Sequence, residues 1–268
     1  MDRLQKAIAA LHEADADMGK RRGKSHIHPL ARLVVCMAFL AVTVSFSAYD
    51  LSGLFAMSLY LMITGIWEEI PVRKMLSGLR YLYGGIVVLG AFNLFYDRDV
   101  IFNLGGFPVT GGEISAISLI CKGIFTLSAV SMLLYLIGLN GLCRALRTLG
   151  IPGGAVTVLL LTWRYLIVLL KEVSRMWQAY TLRAPGQRGI RMEAWGSFAG
   201  LLLLRSMDRA AEVYHSMLLR GYDGEFAFDT QEQAYRGRSV FYTACWLGGL
   251  VFLRVVPVFR LAGGLFLG

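Results

Sequence analysis

The sequence predicts an all-α integral membrane protein: about five transmembrane helices plus a cytoplasmic domain of amphipathic helices. Three observations carry that prediction. The 268 residues are 56% hydrophobic and only 17% charged, against about 45–50% and about a quarter in soluble domains. Five apolar runs approach or exceed the length of a span. Lysine and arginine are distributed very unevenly between the loops. The net charge of +9 then reads as Lys/Arg retention on the cytoplasmic side, and nothing in it calls for nucleic acid.

Taken in order, residues 1–32 form a charged N-terminus without a signal-peptide pattern, an amphipathic helix followed by a basic loop. The spans are 33–48, 51–67, 81–96, 114–139 and 239–257, where crossing takes about 20 residues and at least about 17. The first three are short, and Arg32 and Arg80 can extend them by snorkelling. Lys122 is costly in lipid, which places it against the protein interior or near the outer interface. The resulting organisation is 1–32 cytoplasmic, 33–139 transmembrane, 140–238 cytoplasmic and 239–268 the last span and C-terminus.

Orientation follows from charge. Seven Lys/Arg precede residue 33, and Arg73, Lys74 and Arg80 lie between the second and third spans. The 97–112 loop has only Arg98, while 138–238 holds thirteen. The N-terminus and 138–238 are therefore expected inside and the C-terminus outside. The run 155–170, apolar apart from Arg164, competes as a sixth span. Crossing there would export Lys171, Arg175, Arg183, Arg188 and Arg191, and the apolar run 197–204 is too short to return. A helix along the cytoplasmic face satisfies both constraints.

Two helices of this region end in arginine. Over 204–220, a helical period puts Arg205, Asp208, Arg209, Glu212, Ser216 and Arg220 within a stripe about 120° wide, opposite Met207, Ala210, Tyr214, Met217 and Leu218. Gly221 stands where a left-handed cap is needed, so the helix should stop at Arg220. Arg209 reads as one position on a solvated face. The earlier helix, about 154–183, begins after Pro152 and is stopped by Pro185. Lys171, Arg175 and Gln178 share a face, with Glu172 and Arg183 along its edge. At this point two roles stay open for Arg220: capping its own helix, or gripping carboxylates on a partner.

Other signals carry less. Cys36, Cys121, Cys143 and Cys245 are scattered, and His26 and His28 lack a ligand spacing, so no metal site or cofactor is expected in this chain. "GKRRGKS" (19–25) has the wrong glycine spacing for a phosphate loop. "SMDRAAEVYH" spreads its Ser, Asp and His along one polar helix face. "GSFAG" (196–200) is a small-residue packing spacing, and 102–113 reads as a flexible outer loop.

The stretches "LGIPGGAVTVLLLTWRYLIVLLKEVSRMWQAYTLRA" and "LLLRSMDRAAEVYHSMLLRGYDGEF", with "HPLARL" and "VTGGEISAISLICKGIF", resemble the transmembrane T component of energy-coupling factor (ECF) transporters, cobalt/nickel type. The likeness runs from about His28 to Phe226. The family carries two short Ala-Arg-Gly-type motifs at the ends of coupling helices. Leu219-Arg220-Gly221 matches the second; Leu182-Arg183-Ala184 matches the first with Ala184 in place of Gly. The resemblance implies that Arg183 and Arg220, flanked by Ala184 and Gly221, insert into grooves on two ABC ATPase subunits. Arg175, Glu172, Arg205, Asp208 and Glu212 would form the supporting coupling-helix face. It further implies a separate substrate-binding membrane subunit for Co²⁺ or Ni²⁺, room for a small accessory membrane subunit, a non-catalytic role, and residence in a bacterial or archaeal cytoplasmic membrane. A T component serving vitamin-binding subunits remains an alternative. So does a membrane-embedded enzyme, for which Glu68-Glu69 and Asp97/Asp99 are the available carboxylates. A self-contained secondary transporter would show internal repeats, and none is seen.

Overall fold

A computed structural model describes residues 27–47, 50–70, 79–93, 100–104, 107–184, 186, 189–224 and 237–255. The expected N-terminal amphipathic helix, the 19–25 run, Arg73, Lys74, Pro185, Arg188 and the Asp97/Asp99 pair lie outside these residues. The chain is an all-α membrane protein. Its helices are α1 (Pro29–Ser45), α2 (Leu51–Trp67), α3 (Arg80–Asn93), α4 (Gly111–Thr148), α5 (Gly153–Arg183), α6 (Met192–Leu219) and α7 (Gly237–Val255). By length and composition α4 and α5 each suffice to cross a bilayer.

The chain divides into two units, 25–137 with 233–268 and 138–232 with the N-terminal residues. The division falls at a backbone break inside α4, where Gly138 takes φ 62°, ψ 175°. Essentially only glycine occupies that region. The sequence expectation of a span ending near 139 missed that the helix resumes and runs on to Thr148.

In the first unit, α1, α2 and α7 share a core. Phe39 stacks on Tyr60 at 4.6 Å, and Trp246 meets Tyr60 edge-on at 4.7 Å. Pro29 begins α1, where its missing N–H costs nothing. His28 caps the helix: its Nδ1 accepts from the Leu30 N–H, and its own backbone N–H donates to Ser239 Oγ on α7 at 3.0 Å. Arg32, 4% exposed, donates to Glu68 at 2.5 Å, joining the start of α1 to the end of α2. Lys122 is half-buried and donates to the Phe46 carbonyl, while Arg254 donates to the Ser45 carbonyl at 3.3 Å and lies over the Phe46 ring. Two cations thus meet the negative end of the α1 dipole. That is how a lysine is accommodated inside an apolar helix.

Helices α3 and α4 approach closely through glycine. A Cβ on Gly90 would lie 2.3 Å from Ile120, and one on Gly123 would lie 2.6 Å from Ile86. Gly196 and Gly200, the small-residue spacing singled out in the sequence, have no such neighbour. Within 102–113, expected as a loop, Val100–Leu104 (β1) pairs antiparallel with Phe107–Thr110 (β2). Leu104 stands opposite Phe107, and the Gly-Gly dipeptide between them is a strong hairpin signal.

Candidate functional site

In the second unit α5 and α6 form an antiparallel hairpin. Near its closed end the Arg191 N–H donates to Tyr180 Oη at 3.3 Å. Further along, Arg205 of α6 donates to Glu172 of α5, which also faces Arg175 at 3.6 Å. Further still, the Arg209 guanidinium lies 6.0 Å from the Tyr165 ring centroid. Glu172, Arg175 and Arg205 therefore form one ionic staple between the helices. Glu212 pairs instead with Arg209 at 3.1 Å, and Asp208 is exposed outside both pairs.

The α6 C-terminus is built as its sequence demands. The helix ends at Leu219 with Arg220 as its cap residue. Gly221 turns left-handed at φ 80°. Its N–H donates to the Leu218 carbonyl and the Tyr222 N–H to the Met217 carbonyl, each at 3.0 Å. That pairing is a Schellman motif, available because glycine carries no Cβ. The helix itself starts at Met192, so the apolar run 197–204 belongs to it. No proline interrupts Met192–Leu219.

The α5 end is different. Arg183 is the last helical residue, and Ala184 caps it at φ −125°, ψ 65°, donating its N–H to the Tyr180 carbonyl at 3.1 Å. Alanine avoids the left-handed region here. Positive φ appears two residues later, at Gly186 (φ 89°). Arg183 and Arg220 are both exposed, with no carboxylate partner among the described residues.

Because the hairpin is antiparallel, the two arginines stand at opposite ends of it. Twenty-eight residues of α6 separate those ends, about 40 Å at 1.5 Å per residue. At the Arg220 end a groove of about 500 Å³ opens between the helices, lined by Leu161, Arg164, Tyr165, Arg209, Glu212 and Arg220 among others. Arg164 and Tyr165 were not anticipated as site residues, although a lone arginine in an apolar run was the available signal. Arg209, expected on a solvated face of the same stripe, is half exposed and also lines this groove beside Arg220.

The polar stripe of α6 thus faces α5 through Arg205 and Arg209, with Val213 and Met217 beside it in the groove, while other apolar residues point outward. None of the helix is buried, and Leu203, Met207 (both 61% exposed) and Leu219 (90%) are open. Among the described residues no three His, Cys, Asp or Glu side chains gather as metal ligands. Glu68, one candidate for carboxylate chemistry, is engaged with Arg32.

A stretch of 97 residues is 30% identical to an uncharacterized protein of Methanocaldococcus jannaschii, covering 35% of this chain and 33% of that protein. The chain therefore aligns with only a third of that relative's length. Residues 20–232, spanning both arginine-ended helices, match the cobalt transport protein family CbiQ. The chain belongs to this cobalt transport protein family.

Proposed function

We propose that the chain is the T subunit of an ECF-type ABC importer, transmitting conformational change from two partner ATPases to a separate membrane subunit that binds Co²⁺ or Ni²⁺. The carrying observation is the pair of exposed arginines at opposite ends of one helical hairpin, about 40 Å apart by helix length. That separation suits contact with two different ATPase subunits. A planar guanidinium at a helix end donates several hydrogen bonds to a carboxylate-lined groove. In this reading the chain is non-catalytic and holds neither nucleotide nor metal.

The topology belongs to the same proposal: a multi-pass protein of a bacterial or archaeal cytoplasmic membrane, with its N-terminus and 138–238 inside. The hairpin supports keeping α5 out of the bilayer interior. If α5 crossed, its antiparallel partner would carry Arg205, Asp208, Arg209 and Glu212 into lipid, at about 2.5–3.5 kcal/mol for each such residue at the bilayer centre.

The test is Arg220→Ala in the assembled transporter. Removing one partner of a desolvated charge pair costs about 2–5 kcal/mol, so ATPase capture or coupled metal uptake should fall sharply while the protein still inserts. Arg220→Lys should restore little, because a point charge cannot reproduce the fork. Arg183→Ala combined with Arg220→Ala should be worse than either alone. Arg209 is unsuitable as a control, and exposed Lys171 on α5 replaces it. Wild-type uptake by Arg220→Ala with the ATPases bound would reduce that arginine to a helix cap.

A further inference from the structure

Besides Arg220, the groove at that end of the hairpin holds two arginines that ATPase docking leaves unused, Arg164 and Arg209. Three guanidiniums, Arg164, Arg209 and Arg220, line it against one carboxylate, Glu212, leaving a surplus of positive charge. Glu212 is held by Arg209 at 3.1 Å. Neither Arg164 nor Arg220 pairs with a carboxylate among the described residues. Guanidinium forks match phosphate oxygens in geometry and charge.

The surroundings narrow the ligand. Val168 and Val158 are both exposed, and helical spacing, one turn beyond Arg164 and one turn before Leu161, puts them on the same face of α5 as those groove residues. From α6, Val213 and Met217 add apolar lining, and Leu219 beside Arg220 is exposed. A cationic centre framed by open hydrocarbon fits an amphiphile with an anionic head better than a soluble ion or an acidic peptide. We propose that this groove binds the phosphate of an anionic glycerophospholipid, whose acyl chains run along the exposed valines and Leu219. The arginines hold the headgroup at the membrane surface, and the hairpin is thereby fixed to the bilayer at one end. This assignment does not depend on the ATPase reading, because the isolated chain tests it.

The experiment is native mass spectrometry of the purified, delipidated full chain in detergent, titrated with dioleoylphosphatidylglycerol or dioleoylphosphatidylcholine. One phosphatidylglycerol should be retained in preference to phosphatidylcholine. Arg164→Gln with Arg209→Gln should lower its apparent affinity about tenfold or more, and Lys171→Gln should not. Circular dichroism checks that the double variant folds. If it does not, Arg164→Lys decides, its affinity falling between wild type and background. Equal retention of the two lipids overturns the proposal, as does undiminished retention by the folded variant. Displacement by glycerol phosphate at concentrations matching the lipid would make the groove a soluble-phosphate site and also overturn it. So would loss of ATPase capture with lipid retention intact, which would mark a protein-docking surface.

Discussion

Removing Glu68 should damage the protein more than removing Arg32, although the two form one ion pair. Arg32 is 4% exposed and Glu68 25%, with nitrogen and oxygen 2.5 Å apart. At an effective dielectric of about 20 the attraction across that distance is about 6–7 kcal/mol before desolvation is subtracted. Glu68→Ala leaves a buried guanidinium whose Nε already has no partner among the described residues. Stranding a buried charge costs about 3–5 kcal/mol. Arg32→Met leaves instead a carboxylate that reaches water and keeps a further contact of its own, so about 1 kcal/mol is expected, the ordinary cost of a point change. The double variant should resemble Arg32→Met, giving a coupling of about 3–5 kcal/mol, the whole cost of stranding the charge. Unfolding in mixed micelles with rising SDS, followed by tryptophan fluorescence, measures all three. If Arg32→Met proves the more damaging single change, or the two effects simply add, burial is not what sets the cost.

Gly138→Ala should lower stability by about 1–3 kcal/mol, the cost of a non-glycine residue in that backbone region; an unchanged melting temperature in detergent would mean residue 138 does not adopt it. Cysteines introduced within 103–111 should be labelled by an impermeant maleimide in intact cells, and those within 186–190 should be protected. The exposed native Cys245 must first be replaced, whereas Cys143 is buried and burial pushes its thiol up, so it should stay silent near neutral pH. Labelling at 186–190 would refute the proposed topology. Purified alone, the chain should bind neither ATP nor Co²⁺ at micromolar concentration by equilibrium dialysis, and stoichiometric binding of either would count against the proposed division of labour.

What could be read from the sequence was what local chemistry decides. Gly221 after Arg220 forecast the α6 terminus because a left-handed cap depends on a few adjacent residues. Helices at all five expected spans followed from apolar runs in the same way. Pairings across the chain were another matter. Arg32 and Glu68 are 36 residues apart, and each looks like an ordinary loop-edge charge until α1 and α2 are placed together. Periodicity sorted α6 into a polar and an apolar face but could not say which one meets α5, nor that Met217 of the apolar face joins the groove. An amphipathic helix in a soluble protein turns its apolar side inward; here the ionic staple turns the polar side toward α5, and Arg209 lines the groove while still half exposed. The hairpin at 100–110 was overlooked because its glycines were taken for flexibility rather than for a turn.

The outward apolar face of α6 also bears on how such a protein is made. A copy released from its neighbours shows Leu203, Leu204, Met207 and Leu219 to whatever surrounds it, and exposed hydrocarbon of this kind drives aggregation. Synthesis without the partners proposed above should therefore yield an orphan that clumps or is degraded. If those partners cover this face, their matched production is a requirement written into one helix, and abundance of the proposed assembly is limited by whichever subunit arrives last to cover it.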